Sequence, residues 1–319
     1  FAIDMYLPAL PSIGQSLGAS MGTVQASLMA FFISLGIGQI VYGPVSDMVG
    51  RKPPLYFGLA LFALGSVGCA LAPDIHSLIA LRFVQGLGAC AGMVVPRAVV
   101  RDLHTGHDAA RLMSLLMLVF SVSPILAPLS GSLIIEWAGW RGVFWTLAVF
   151  GALIAAWVVL SLSESRSAAT EAQARSENPL KAYVALFGMR RLMGYALAGA
   201  LNGAVLFTYI SGAPDLVMGT YGHSPLVFNL VFAFNAVGII GASQVNRWLL
   251  RRATPDQVLA RASIASIIAA LLLTLAAWTG WGGQWTVLPL LFAALSIYGL
   301  MGGNTMAGAL SVDPRRAGS

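Results

Sequence analysis

Charge is what this sequence has least of. Only 9% of its 319 residues are Asp, Glu, Lys or Arg, 58% are hydrophobic, and the mean hydropathy is +0.81. Soluble domains carry about 25% charged residues, so this chain cannot coat a water-soluble globule and its solvent is lipid. Cysteine is nearly absent too. Cys69 and Cys90 lie in apolar runs without neighbours at zinc-binding spacings and read as small buried hydrophobes. There is no phosphate-cradling loop of the form G-x-x-x-x-G-K-[ST], so ATP is not the expected energy source. No nucleophile, base and orienting group recur on one face, so an enzyme is not expected. The pair His104 and His107 has only Asp108 as an adjacent carboxylate, and no metal site is expected there.

What is present is a series of apolar segments. Crossing about 30 Å of hydrocarbon takes roughly 20 helical residues at 1.5 Å each. Nine segments qualify, at approximately 24–45, 55–72, 78–99, 112–133, 142–162, 192–213, 225–246, 262–280 and 286–311. Residues 1–17 read as the outer part of an earlier helix, entered without a methionine or a polar cap. The chain is therefore expected to be a piece of a longer protein.

Lysine and arginine accumulate on the cytoplasmic side of membrane proteins. One set of loops holds Arg51, Lys52, Arg101, Arg111, Arg166, Arg175, Lys181, Arg190, Arg191, Arg247, Arg251, Arg252, Arg261, Arg315 and Arg316, while the alternate loops hold only Arg141. That asymmetry fixes the inside face and supports the span count. The net charge of +6 thus reflects topology, and no nucleic-acid partner is expected.

The longest polar stretch, 163–191, follows six spans, counting the first, and precedes four. It reads as a cytoplasmic linker with a short surface helix over 179–189. The organisation expected is an N-terminal bundle over 1–162, the linker, and a C-terminal bundle over 192–319 that stops two helices early. Pro53 and Pro54 sit where a span starts. Pro8, Pro11, Pro96, Pro124 and Pro128 fall inside spans and are expected to bend them. The pairs Gly88/Gly92 and Gly199/Gly203 are expected to let helices approach closely.

Three groups of residues carry chemistry. In the turn after the second span, Gly43, Asp47, Gly50, Arg51 and Lys52 form an expected cytoplasmic latch, with Asp47 facing a helix N-terminus and Arg51 pairing with a carboxylate. Asp4 lies about 20 Å inward of Leu17 by helical rise, near the middle of the bilayer. A charge there costs at least roughly 2.5 to 3.5 kcal/mol, a cost relieved when the carboxylate takes a proton. Asp4 is accordingly expected to face a cavity or a partner as a proton carrier, or else to orient a kinked helix through a structural hydrogen bond. Arg82, with Gln85 one turn away, is the other charge well inside a span, about 8 Å from the outer end of its helix. Tyr6, Gln85, Asn202, Tyr209, Asn235 and Asn304 are polar residues within spans that line a substrate pocket or bond helix to helix.

These stretches resemble the major facilitator superfamily, and specifically its bicyclomycin-resistance (Bcr/CflA) branch of drug:proton antiporters. GPVSDMVGRK at 43–52 is similar to the superfamily's signature loop, DMYLPALP at 4–11 to the branch's first-helix motif, and RFVQGLGAC at 82–90 to its fourth-helix motif. SPILAPLSG at 123–131 resembles the antiporter motif, and YISGAP at 209–214 the seventh helix.

The resemblance implies an all-α polytopic membrane protein of two pseudo-symmetric six-helix bundles, here truncated at both ends, working by alternating access. It implies that Asp4 and Arg82 couple proton movement, with Arg82 bonding across to the first helix, and that Pro124, Pro128 and Gly131 form an antiporter-type bend. It further implies a drug-like substrate, the lipid bilayer as partner, a proton gradient in place of any cofactor, a monomer and a bacterial inner membrane. Met48 departs from the pattern where a basic residue is usual, as do Ser123, Ala127 and Ser132 where glycine is favoured. The stretch 241–252 has no aspartate matching Asp47. Transport of a native metabolite on the same scaffold stays open.

Overall fold

The computed structural model describes residues 1–104, 106–176 and 179–312. Those residues divide into two compact units, Phe1–Lys181 and Ala182–Ser319, the division falling inside the stretch read as linker. The first unit contains α1 (Leu10–Leu17), α2 (Met21–Val49), α3 (Lys52–Leu71), α4 (Ile75–Leu103), α5 (Gly106–Ser161), α6 (Ala168–Ser176) and the start of α7 (Pro179–Phe187), whose remainder falls in the second unit. The second contains α8 (Arg190–Pro214), α9 (Pro225–Leu249), α10 (Pro255–Thr279) and α11 (Gln284–Val312). Among the described residues eight helices are long and apolar enough to cross a membrane. One of them, α5, is broken at Gly139 (φ 67°, ψ −177°) into two arms, so nine crossings result, as the hydropathy pattern predicts.

The helices begin where side chains can accept the backbone N–H groups that a first turn leaves unpaired. Ser20 caps α2, Asp74 caps α4 and Ser224 caps α9. Thr254 and Gln257 cap each other's backbone at the start of α10, a reciprocal box. In contrast, α3 has no side-chain cap from its own N-cap residue, Arg51.

One expectation about backbone needs correction. Residues 1–17 are not one continuous helix: a 3₁₀ turn spans Leu7–Ala9 and α1 starts only at Leu10, with Pro8 and Pro11 in the first positions of these elements. Proline is tolerated there because its missing N–H is one the element does not use, so neither residue bends a helix interior. Pro96, Pro124 and Pro128 lie inside helices as expected, and the non-helical break in α5 comes at Gly139.

In the first unit α4 packs on α2 and α3, and α3 packs on α5; in the second, α11 packs on α8, α9 and α10. The α3–α4 crossing requires glycine. A Cβ on Gly88 would lie 2.3 Å from the Phe62 amide nitrogen and 2.6 Å from the Gly58 carbonyl oxygen. Gly92 and Gly203, expected to do similar work, meet no neighbouring helix, and Gly199 makes only ordinary contact with Thr305.

Candidate functional site

The irregular start of the chain carries Asp4 into the interior of the first unit. Its side chain is buried at 9% exposure, and the Ser123 hydroxyl on α5 donates to Oδ2 at 3.5 Å. The serine that replaces an expected glycine thus supplies the carboxylate's hydrogen-bond donor. Gly131, two turns further along α5, is where that helix touches the first segment. A Cβ there would stand 2.3 Å from the Met5 carbonyl oxygen, so the residue beside Asp4 and α5 meet backbone to backbone.

Arg82 on α4 is wholly buried. It does reach the first segment, but not the acid: Nη1 donates to the Ala2 carbonyl at 3.2 Å and to Gln85 Oε1 at 2.7 Å. Its guanidinium carbon lies 4.2 Å from the ring centre of Phe31 and 4.5 Å from that of Tyr6, with Phe144 at 5.8 Å. Aromatic faces attract a desolvated cation, which is how these rings hold a charge that lacks a carboxylate partner. Gln85 passes the chain on, donating to Ser66 Oγ at 2.7 Å, and Ser66 donates to the Phe62 carbonyl at 2.7 Å. Tyr6 shares a 2.8 Å hydrogen bond with Ser27. Both Tyr6 and Gln85 are fully enclosed between helices.

At the cytoplasmic end, Arg51 is 2% exposed and sits at the centre of an ion-pair network. Its Nε and Nη2 bind the two oxygens of Asp102 at 2.6 and 3.2 Å, while Nη1 donates to Asp47 and to Ser46 Oγ at 2.9 Å. The planar fork suits this bidentate pairing. Asp47 therefore serves the side chain of Arg51, and the anion on a helix N-terminus is another one. Glu164 accepts from the Arg51 and Lys52 backbone N–H groups at 2.8 and 3.2 Å, capping α3 from the far end of α5.

Glu164 also accepts from the backbone of Ser165 and Arg166. Burial pushes its carboxyl up, and the backbone donors of Arg51, Arg166, Lys52 and Ser165 outweigh that, holding it below its ordinary value. Gly50 (φ 102°) makes room, since a Cβ would fall 2.7 Å from Glu164 Oε2. Gly43, by contrast, meets nothing within 4 Å, and the Lys52 ammonium lies 5.7 Å from the Tyr56 ring centre. Arg166 donates to the carbonyls of Asp47 and Met48 at the end of α2 and pairs with Glu171 at 2.7 Å. The start of the polar stretch is thus bound to the first unit and continues into α6. The pattern of polar residues showed neither Asp102 nor Glu164 as a partner of Arg51.

In the second unit the polar candidates hydrogen-bond within the unit. Asn235 donates to Tyr209 Oη at 2.9 Å, Asn202 to the Tyr298 carbonyl at 3.5 Å, and Asn304 to Asn246 Oδ1 and the Leu300 carbonyl, both at 2.8 Å. Tyr209 stacks on Phe232 with ring centres 5.4 Å apart. All are buried, and each cross-helix pair joins helices of the same unit.

The major facilitator superfamily model matches residues 1–319 throughout. The chain belongs to that superfamily. It is a multi-pass protein of a bacterial inner membrane, and it spans about three fifths of the length of most of the curated relatives it matches. It is 41% identical over 244 residues to the uncharacterized MFS-type transporter YdgK of Bacillus subtilis strain 168, covering 76% of this chain and 60% of YdgK. It is 28% identical over 322 residues to the bicyclomycin resistance protein homolog of Haemophilus influenzae, covering 100% of this chain and 80% of that protein. A bacterial homolog of the human lysosomal transporter Spinster, solved inward-facing and unoccupied, shares the fold with a TM-score of 0.74 at 16% identity, over 99% of this chain and 74% of that one.

Proposed function

We propose that the protein exports amphipathic, drug-like molecules across the inner membrane in exchange for protons, with the proton gradient as its energy source. The observation that carries this reading is Asp4. Its carboxyl is buried at membrane depth, holds one long hydrogen bond from Ser123, and does not receive the nearby Arg82 cation, which is spent on Ala2, Gln85 and three rings. A carboxyl so placed is costly as an anion and is relieved by a proton.

In this scheme Asp4 gains a proton when its surroundings open to the outside and substrate leaves. It loses that proton to water when they open inward and substrate binds, so each O–H bond formed on one side is broken on the other. The Arg51 network holds the cytoplasmic ends of α2, α3 and α4 together within the first unit. The drug-like cargo is supported by the resemblance to a bicyclomycin resistance protein homolog.

The test is efflux by the full-length protein in proteoliposomes. Asp4→Asn abolishes gradient-driven efflux of bicyclomycin while the helices stay inserted. Unchanged efflux refutes the coupling role, and counterflow of a native metabolite without any drug would reassign the cargo.

A further inference from the structure

The two arms of α5 meet at Gly139 in a tight vertex on the outer side of the membrane. There a Cβ on Gly142 would come within 2.6 Å of the Ala138 methyl and 3.1 Å of Ile134 Cγ2. Beyond this vertex the arms enclose an open groove of about 720 Å³, lined by Leu133, Ile134 and Trp137 from the first arm and by Arg141, Trp145 and Thr146 from the second. Its walls are apolar apart from the guanidinium and the threonine hydroxyl, and that hydroxyl is already bonded to the Gly142 carbonyl. Trp137 is 88% exposed and Trp145 45%, at the depth where indoles favour the membrane–water boundary.

Arg141 gives the groove its chemistry, being the one lysine or arginine in the outer loops of this sequence. It stacks on Trp140 with its guanidinium carbon 4.1 Å from the ring centre, and Nη2 donates to the Ala72 carbonyl at 3.2 Å. These two contacts fix the side chain at the mouth, and among the described residues Nε and Nη1 donate to no acceptor. Glu136 is exposed on the first arm but is not part of the lining. A planar donor fork at a membrane boundary, above an apolar trough, matches a phosphodiester above an acyl chain.

We propose that this groove binds an acidic phospholipid of the outer leaflet, its phosphate on Arg141 and one acyl chain along Leu133, Ile134 and Trp145. Full-length protein in detergent, titrated with phosphatidylglycerol or with phosphatidylcholine of the same chains and read by native mass spectrometry, tests it. Wild type retains one phosphatidylglycerol in preference to phosphatidylcholine, and Arg141→Gln weakens that retention by about fivefold or more. Thr146→Trp fills the trough, leaves Arg141 and its bond to Ala72 in place, and displaces both lipids. Retention of phosphatidylglycerol by either variant at the wild-type level overturns the proposal. Competition by glycerol phosphate as strong as by the whole lipid also overturns it, by showing an anion site without a chain site.

Discussion

Replacing Gly131 by alanine tests the junction that places Asp4. The added methyl would lie 2.3 Å from the Met5 carbonyl oxygen, 2.9 Å from its Cα and 3.0 Å from its carbonyl carbon. All three are backbone atoms, which no rotamer change can move aside. Ordinary contact begins near 3.4 Å, so α5 and the first segment must separate by about 1 Å. Overpacking of this kind costs about 1–3 kcal/mol, and the Ser123–Asp4 bond, already 3.5 Å, does not survive the shift. Gly131→Ala should therefore lower the thermal midpoint of the purified full-length protein and reduce gradient-driven transport more than its stability loss explains. Gly92→Ala provides the matched control, because a Cβ there meets nothing within 4 Å and alanine favours the helix; it should lower neither readout. Equal behaviour of the two variants would refute the close approach.

Arg51→Lys keeps a charge but loses the fork shared by Asp102 and Asp47, and should destabilise the protein by about 1–3 kcal/mol in thermal or chemical unfolding; a neutral result would show that the network contributes little. Because the folded environment holds the Glu164 carboxyl below its ordinary range, its docking contribution is complete above about pH 4.3 and is lost as pH falls through the lower docked value. A spin label at Thr170 should gain mobility only in that acid window, and Glu164→Gln should remove the dependence. Asn304→Leu leaves Asn246 Oδ1 without its donor and should cost about 0.6–2 kcal/mol with drug selectivity intact; altered selectivity at unchanged stability would make Asn304 a substrate ligand instead.

The membrane-spanning architecture was legible because a bilayer filters composition severely: length, hydropathy and the placement of arginines leave few alternatives. Asp47 and Arg51 were legible as a pair because they are four residues apart on one turn. Asp102 and Glu164 were not, being 51 and 113 residues from Arg51, and no local pattern ties a carboxylate at the end of one helix to a turn two or four crossings away. The serine, alanine and glutamate content of 163–176 read as a solvated linker for the same reason. Composition records what a segment tolerates, not the four N–H groups that happen to meet one carboxylate. Helical rise fixes how far along its helix Arg82 lies but says nothing about rotation. Its neighbours Phe31, Tyr6 and Phe144 come from three other elements, and they, not Asp4, receive the cation.

The central claim is that Asp4 exchanges a proton as substrate comes and goes. Proton release on drug binding, measured with a pH dye on weakly buffered full-length protein, tests it most directly. Wild type should release protons on adding bicyclomycin and Asp4→Asn should release none. Equal release from both, or drug binding to wild type without any release, would contradict the account.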